Sequence, residues 1–391
     1  MAIVALLILL GFWAAIPLGL AWWLNKRYKI AKLILFAIAG LLVVIQTSLW
    51  LYDFSGMQAN DRYSQIKTFL NQPFSGLQEL RLSQSKAIIA LSFMSEGLVS
   101  YAIQNPEREK EVVSLLEKAV QIAFHPDISP RLNLQNVTTW KEEGLYLSHL
   151  NAILGSYQRL SSDRKYFQLN QTISEHLAQK ILNEPYHNIR SYTKATHRWP
   201  ADNAVTLHSL YLFDRNNNTQ ISDLPIKKWL EYMRIKGSEP TTKLHYSELT
   251  GVEKYSPYPR GCALSWTTKY ISDFAPQEAI ELWQNYKKHY HKNFLIISGF
   301  REYTPNVNLQ PDADSGPIIF GIGAGATGLA LNGAKYVGDY LTYYQINNVF
   351  RMADLVGNIL SYFGRKELQN LSQDILATAI RFNAETKVKW Y

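Results

Sequence analysis

The chain has 391 residues, 47 % hydrophobic and 18 % charged, enough apolar material for a large core, which excludes a disordered chain. The net charge of +8 comes from scattered Lys and Arg with no recognition motif, so no nucleic-acid partner is expected. A lone cysteine, Cys262, excludes an internal disulfide and a cysteine metal cluster.

The first elements predict a membrane hairpin. Segments 2–24 and 33–52 carry no charge, and each run of about 20 residues spans a hydrocarbon core of ~30 Å. Trp22, Trp23, Trp50 and Tyr52 stand at the segment ends, where amphipathic rings favour the headgroup zone. No Lys or Arg precedes Ala2, and the first apolar run is long for a signal peptide, so a retained span is preferred. The loop 25–32 holds Lys26, Arg27, Lys29 and Lys32. Positive residues in short loops stay cytoplasmic. The expected location is therefore a bacterial inner membrane, crossed twice, with the C-terminal domain in the periplasm or outside.

Residues 1–52 are read as the hairpin, 53–84 as a linker with short helical pieces, and 85–391 as an extracytoplasmic domain. In that domain, apolar residues recur at three-to-four spacing, the mark of amphipathic or buried helices. The predicted helices are 87–103, 107–123, 142–160, 166–182, 202–214, 225–235, 261–272, 276–289, 317–338, 340–362 and 366–383. Short turns alternate with the longer loops 184–198, 236–258 and 298–315. Paired helices with long loops gathered at one end describe an all-α fold: an (α/α)6-toroid-like ring of helical hairpins preceded by two transmembrane helices. An α-solenoid is the alternative, but no fixed-length repeat supports it.

The three long loops carry the unusual residues. The first contains His197-Arg198-Trp199-Pro200-Ala201-Asp202-Asn203, the second Tyr255-Ser256-Pro257-Tyr258-Pro259-Arg260-Gly261. The third contains Phe300-Arg301-Glu302-Tyr303 and Asp312-Ala313-Asp314-Ser315-Gly316. Each sets a carboxylate or Arg beside aromatics just before a helix. Asp202, Asp314 and Ser315 would also serve as helix N-caps, whose short oxygen side chains accept free amide protons. His149 lies on the 142–160 helix near Tyr146 and Asn151. Gly323, Gly325 and Gly328 spell G-x-G-x-x-G without the strands of a dinucleotide fold, so tight helix packing is the expected reason for them. No metal or nucleotide cofactor is expected.

The same residues carry a family resemblance. Ser148-His149-Leu150-Asn151, Gly155, Tyr157 and Arg164-Lys165-Tyr166 are followed by Asn203 and Asp214-Arg215. Arg301-Glu302, Asp312-Ala313-Asp314 with Gly316, and Gly338-Asp339 complete the series. Over 142–339, about half the chain, the sequence resembles linalool dehydratase-isomerase and its relatives. The resemblance implies an α/α toroid with a deep apolar pocket. It also implies cofactor-free acid–base chemistry that removes water from, or adds it to, a small terpene alcohol. His149 falls on a histidine of that pocket. The family's cysteines match positions 197–203, where this chain has Asp202 before Asn203, and its N-terminal aspartate has no counterpart here.

Three functions follow. The first is a membrane-anchored, cofactor-free carbon–oxygen lyase or isomerase. His149, Asp202, Glu302 and Asp314 are the catalytic candidates, because dehydration needs an acid for the leaving hydroxyl and a base for a carbon-bound proton. Tyr146, Trp199, Asn203, Tyr258, Arg260, Arg301, Tyr303 and Asp312 are the substrate-contacting candidates. The second is a glycan-processing enzyme that uses Asp202, Asp314 and Glu302 for inverting hydrolysis. The third is a non-catalytic membrane-tethered binding protein. The expected partners are the lipid bilayer and a small-molecule or glycan substrate, with self-association into a homo-oligomer left open.

Overall fold

Two uncharged N-terminal runs fold as α1 (Ala2–Trp23) and α2 (Lys29–Phe54), packed against each other and long and apolar enough to cross a membrane. Trp13 Nε1 donates to Gln46 Oε1 at 2.7 Å between them, which satisfies two polar groups where water is scarce. The computed structural model describes the chain except residues 25–27, 75, 81, 131, 141–142, 193–196, 251–257, 305–306, 308–309, 313 and 363–373. Lys26, Arg27, the Tyr255-Ser256-Pro257 motif, Ala313 and the first half of the predicted 366–383 helix thus lie outside the described residues.

The expected linker carries α3 (Met57–Asn71), whose Tyr63, Ile66 and Leu70 are buried, and the single turn α4 (Leu77–Leu80). The helices α5 (Gln84–Gln104), α6 (Glu109–Ala123), α7 (Gly144–Leu160), α8 (Phe167–Asn183), α9 (Pro200–Asn217), α10 (Asp223–Ile235), α11 (Gly261–Ile271) and α12 (Pro276–Tyr290) follow. The last three are α13 (Ala324–Val337), α14 (Tyr340–Tyr362) and α15 (Ile375–Thr386), the last capped by the Asp374 carboxylate on the amides of Leu376 and Ala377. Although α5 is apolar enough to cross a membrane, its residues 87–102 are almost all buried within the protein, so it is a core helix.

The inner helices pack in sequence: α5 on α7, α7 on α9, α9 on α11, α11 on α13, α13 on α15, and α15 back on α5. They read as runs of apolar and small residues because each is enclosed on all sides. Ala326, Ala330 and Ala334 of α13 are fully buried, and such small side chains let α11 approach closely. The outer helices are amphipathic and cover the seams. α6 lies on α5 and α7, α8 on α7 and α9, and α12 on α11 and α13. α14 covers α13 and also packs against α1.

Strands are few. β1 (His197–Arg198) pairs with β2 (Leu249–Thr250), and β3 (His291–Asn293) pairs with β4 (Ser298–Phe300) in the register His291↔Phe300. β5 (Ile318–Ile319) pairs with β6 (Ile322–Gly323), which corrects the reading of 317–338 as one helix. Its first residues form a hairpin because Phe320 and Gly321 take φ of 52° and 79°, the pattern of a type I′ turn whose twist matches the flanking strands. Apolar β-branched residues on both sides of the turn mimic helical periodicity over so short a run.

Candidate functional site

The N-terminal ends of α7, α9, α11 and α13 are tied together by loops. Gly144 and Leu145 of α7 donate their amides to the carbonyls of Arg190 and Ser191. Asn203 of α9 accepts from the Ile189 amide at 2.8 Å and donates to the carbonyls of Ile189 and Trp199. Asn203 is thus a buried clamp between loop and helix. The clamp sets Ser191 beside α9, where its hydroxyl donates to the Asp202 carboxylate. Asp202 lies in the first turn of α9 without capping it.

On the other side, the Gly261 amide of α11 donates to the Glu302 carbonyl at 2.8 Å, and the Gly325 amide of α13 donates to the Ser315 carbonyl at 2.8 Å. A Cβ at Gly261 would strike the Arg301 carbonyl, and one at Gly325 the Asp314 carbonyl. These two glycines let the third loop lie directly on two helix ends. Gly325, and Gly323 against Glu302, therefore serve loop seating rather than helix–helix packing.

Within this frame the charged residues form two connected groups. Arg260 donates to Glu302 and to Asp312, both at 2.9 Å, and lies over the Tyr303 ring at 5.6 Å. The Cys262 thiol donates to the same Glu302 carboxylate, which is fully buried. Burial pushes the Glu302 pKa up against the opposing pull of Cys262 and Arg260. Burial also drives the Cys262 thiol well above its ordinary value, aided by Glu302. Asp312 accepts from the Ser315 and Asp314 amides and so shapes the turn that carries Asp314.

Asp202 and Asp314 belong to the second group. Burial raises Asp202 to about 6, the Ser191 hydrogen bond opposes the rise, and the Asp314 charge adds to it. Tyr192 is raised to about 12 by burial and by both carboxylates. The Tyr192 and Trp199 rings meet edge to face at 6.1 Å, giving this pair an aromatic wall. Asp314 is exposed.

Beneath these loops lies a buried polar centre on the inner helices. Lys269 of α11 pairs with Glu96 of α5 at 2.6 Å, and His208 of α9 stands 3.6 Å from the same carboxylate. Burial lowers Lys269 to about 8, whereas at Glu96 the adjoining Lys269 and His208 outweigh burial and hold it well below the carboxylate range. His149 of α7 is fully buried, with Trp266 and Tyr270 edge-on at 5.7 Å and 6.5 Å. Burial depresses it to about 3, so its ring is neutral at pH 7. Both His149 ring nitrogens, Trp266 Nε1 and Glu96 Oε1 have no hydrogen-bond partner within the described protein. Burying such groups unpaired is costly. Tyr270 links the two levels, because its phenol feels the charges of both Glu96 and Asp202.

The remaining candidates sit differently. Tyr146 donates to the Ala123 carbonyl at 3.0 Å, a bond from the first turn of α7 to the C-terminal end of α6. The Arg301 guanidinium lies over Gly321 at the β5–β6 turn, and Tyr258 is exposed. Residue reading missed Glu96, His208, Lys269, Cys262 and Tyr192. The available signal was a charge inside an otherwise apolar helical run, as with Glu96 in 87–102 and Lys269 in 261–271. Among the described residues no cluster of three or more His, Cys, Asp or Glu has the arrangement to hold a metal ion. No protein family and no curated protein matches the chain.

Proposed function

We propose that this protein is a membrane-anchored, cofactor-free acid–base enzyme that cleaves or rearranges a carbon–oxygen bond, in the manner of the linalool dehydratase-isomerase family it resembles. The observation that carries this reading is the unequal pair Asp202 and Asp314. Asp202 keeps its proton up to about pH 6 in a partly dry site, while its exposed neighbour Asp314 supplies a second carboxylate. A carboxyl that keeps its proton beside a second carboxylate can give that proton while its neighbour takes one. In this scheme Asp202 protonates the leaving hydroxyl, and Asp314 takes the proton from the neighbouring carbon. Neutral His149 orients the substrate from below. The closed order of inner-helix packing supports the α/α-toroid arrangement, with the site at the N-terminal ends of its inner helices. The cationic 25–32 loop supports an extracytoplasmic, periplasmic domain.

A second reading is favoured by the aromatic wall of Tyr192 and Trp199: the same carboxylates would hydrolyse a glycan, with Asp314 activating water. The deciding experiment incubates the purified full chain with a panel of small allylic and tertiary alcohols and, separately, with aryl glycosides. Water loss or allylic rearrangement, abolished in Asp202→Asn and Asp314→Asn, is the expected result. Glycoside hydrolysis without alcohol turnover would move the site to the second reading, and turnover of neither would leave the binding role.

A further inference from the structure

The turn between β3 and β4 exposes two large apolar side chains, Phe294 and Leu295, yet its backbone is fully paired within the protein. The Phe294 amide donates to the Ile297 carbonyl at 2.9 Å, and the Ile296 amide donates to the Phe294 carbonyl at 2.8 Å. The Leu295 amide donates to Asn293 Oδ1 at 2.8 Å. Two side chains of α14 supply the rest: Gln345 donates to the Leu295 carbonyl, and Asn348 donates to the Ile296 carbonyl at 3.0 Å. Each amide and carbonyl from 294 to 296 therefore has a protein partner. Water would meet these groups in an aqueous turn, whereas hydrocarbon leaves any group unpaired that the protein does not pair.

The turn stands beside the uncharged run of α2. Asn348 Nδ2 donates to Gln46 Oε1 at 2.9 Å as well as to Ile296. Gln46 lies six residues before Tyr52, the end of that run, which places it about 9 Å inside at ~1.5 Å per residue. Val44 and Ile45, the exposed α2 residues at this level, are apolar.

The contacts of α14 on α2 are ordered around α14 rather than along it. Asn348 meets Gln46, Arg351 meets the Leu49 carbonyl at 2.9 Å, and Tyr343 meets Asp53 at 2.9 Å. At about 100° per residue, these three α14 residues follow one another around the helix in steps of about 60° and 80°. Helix α14 therefore crosses α2 near Leu49, about 4.5 Å inside Tyr52. Its Asn348 side faces the middle of the α2 run, and its Tyr343 side faces the domain. Met352, Leu355, Val356 and Ile359 are each about half exposed or more. They are centred about 30° beyond Asn348, on the side away from Tyr343.

We propose that the β3–β4 turn is inserted into the membrane, with Phe294 and Leu295 among the acyl chains of the leaflet in which α2 ends. Helix α14 lies in the plane of that leaflet as the support of the turn, and its Met352–Ile359 stripe faces the hydrocarbon. The occupant of this face is lipid, because turn and stripe are continuous through Asn348 and Gln46 with the exposed apolar surface of α2. The depth of the crossing is that of an interfacial amphipathic helix. The insertion is independent of the reaction and holds for each functional reading above.

The test uses the full chain in vesicles of phosphatidylethanolamine and phosphatidylglycerol. A phosphatidylcholine with a diazirine in its acyl chain is added to the unsubstituted protein, and the adducts are mapped by mass spectrometry. Adducts at Phe294 or Leu295 in the tryptic peptide Asn293–Arg301, and on the Met352–Ile359 stripe, are expected. Adducts confined to α1 and α2 overturn the insertion. Spin labels at Leu295→Cys and Leu355→Cys are then compared with Leu224→Cys at the start of α10, which packs on α8 and α9. Collision with an aqueous nickel chelate should fall at least about fivefold at the first two sites relative to Leu224, while collision with oxygen rises. Nickel access equal to that at Leu224 places the turn in water, and exclusion of both quenchers places it against a second protein copy. Either result overturns the proposal.

Discussion

The Cys262 thiol donates to Glu302 Oε1 at 3.0 Å, the same oxygen that receives the Arg260 guanidinium at 2.9 Å. A thiol sharing a buried carboxylate with a guanidinium is held protonated by burial and by the negative charge beside it. The thiolate is the reactive form, so Cys262 should resist iodoacetamide at pH 8 in the native protein and react once the chain is unfolded. Mass spectrometry of intact protein checks this, and rapid native labelling would contradict it.

The same oxygen makes Arg260 and Glu302 depend on each other. Arg260→Ala leaves Glu302 buried and unpaired and should cost about 3–5 kcal/mol. Glu302→Gln keeps a hydrogen-bond acceptor and should cost less. Urea unfolding in a fixed detergent orders the two variants, and the reverse order would mean that the mouth loops do not depend on this ion pair.

Asp202 links function to pH. Its native pKa is raised, so the stabilisation from its proton is complete below the ordinary carboxylate range and is lost as pH rises through about 6. Asp202→Asn should therefore gain stability over the parent between pH 4 and pH 8, by about 1–2 kcal/mol after discounting for partial exposure. Because the proposed acid must carry its proton, turnover should fall on the alkaline side of about pH 6 in the parent and be absent in the variant. Melting curves across this range, with a parallel rate profile, test both. A constant stability difference would place Asp202 in a water-like setting.

Glu96 and Lys269 offer a thermodynamic cycle. Lys269→Met strands the Glu96 charge in the core and should cost about 3–5 kcal/mol, whereas Glu96→Gln with Lys269→Met should recover most of that loss. Additive losses in the double variant would show that the two side chains are not coupled.

Tyr146→Phe separates packing from chemistry. It removes one hydrogen bond to the Ala123 carbonyl and should cost about 1 kcal/mol without changing turnover. A loss of rate at unchanged stability would return Tyr146 to the site.

Long apolar stretches were legible because burial on every side, or in lipid, leaves a periodic mark. The 340–362 helix matches to the residue, and α1 to within one residue of 2–24. The loops that carry Asp202, Arg260, Glu302 and Asp314 stood out for their charges among aromatics. The β5–β6 hairpin stayed hidden because two positive-φ residues leave no hydrophobic period. The polar centre escaped for another reason. Glu96, His208 and Lys269 are separated by more than 60 residues from one to the next, and only the packing of α5, α9 and α11 makes them neighbours. Asp202 looked like a helix cap, and its first-turn position bonded to Ser191 could be seen only in three dimensions.

The contacts of Gln46 and Leu49 with α14 also bear on biosynthesis. Leu49 and Arg351 are 302 residues apart. At a synthesis rate of about 5–20 residues per second, the hairpin waits roughly 15–60 s for its partner helix to be made. During that interval the Trp13–Gln46 bond satisfies the Gln46 side-chain oxygen, which lipid would otherwise leave without a donor. Ala5 and Leu9 of α1 belong to the same core as the helical domain, so a segment made before that domain acquires its full set of neighbours only after it. A chain begun after residue 52 would lack this seat for α14, and the nascent hairpin acts as a template onto which the finished domain closes.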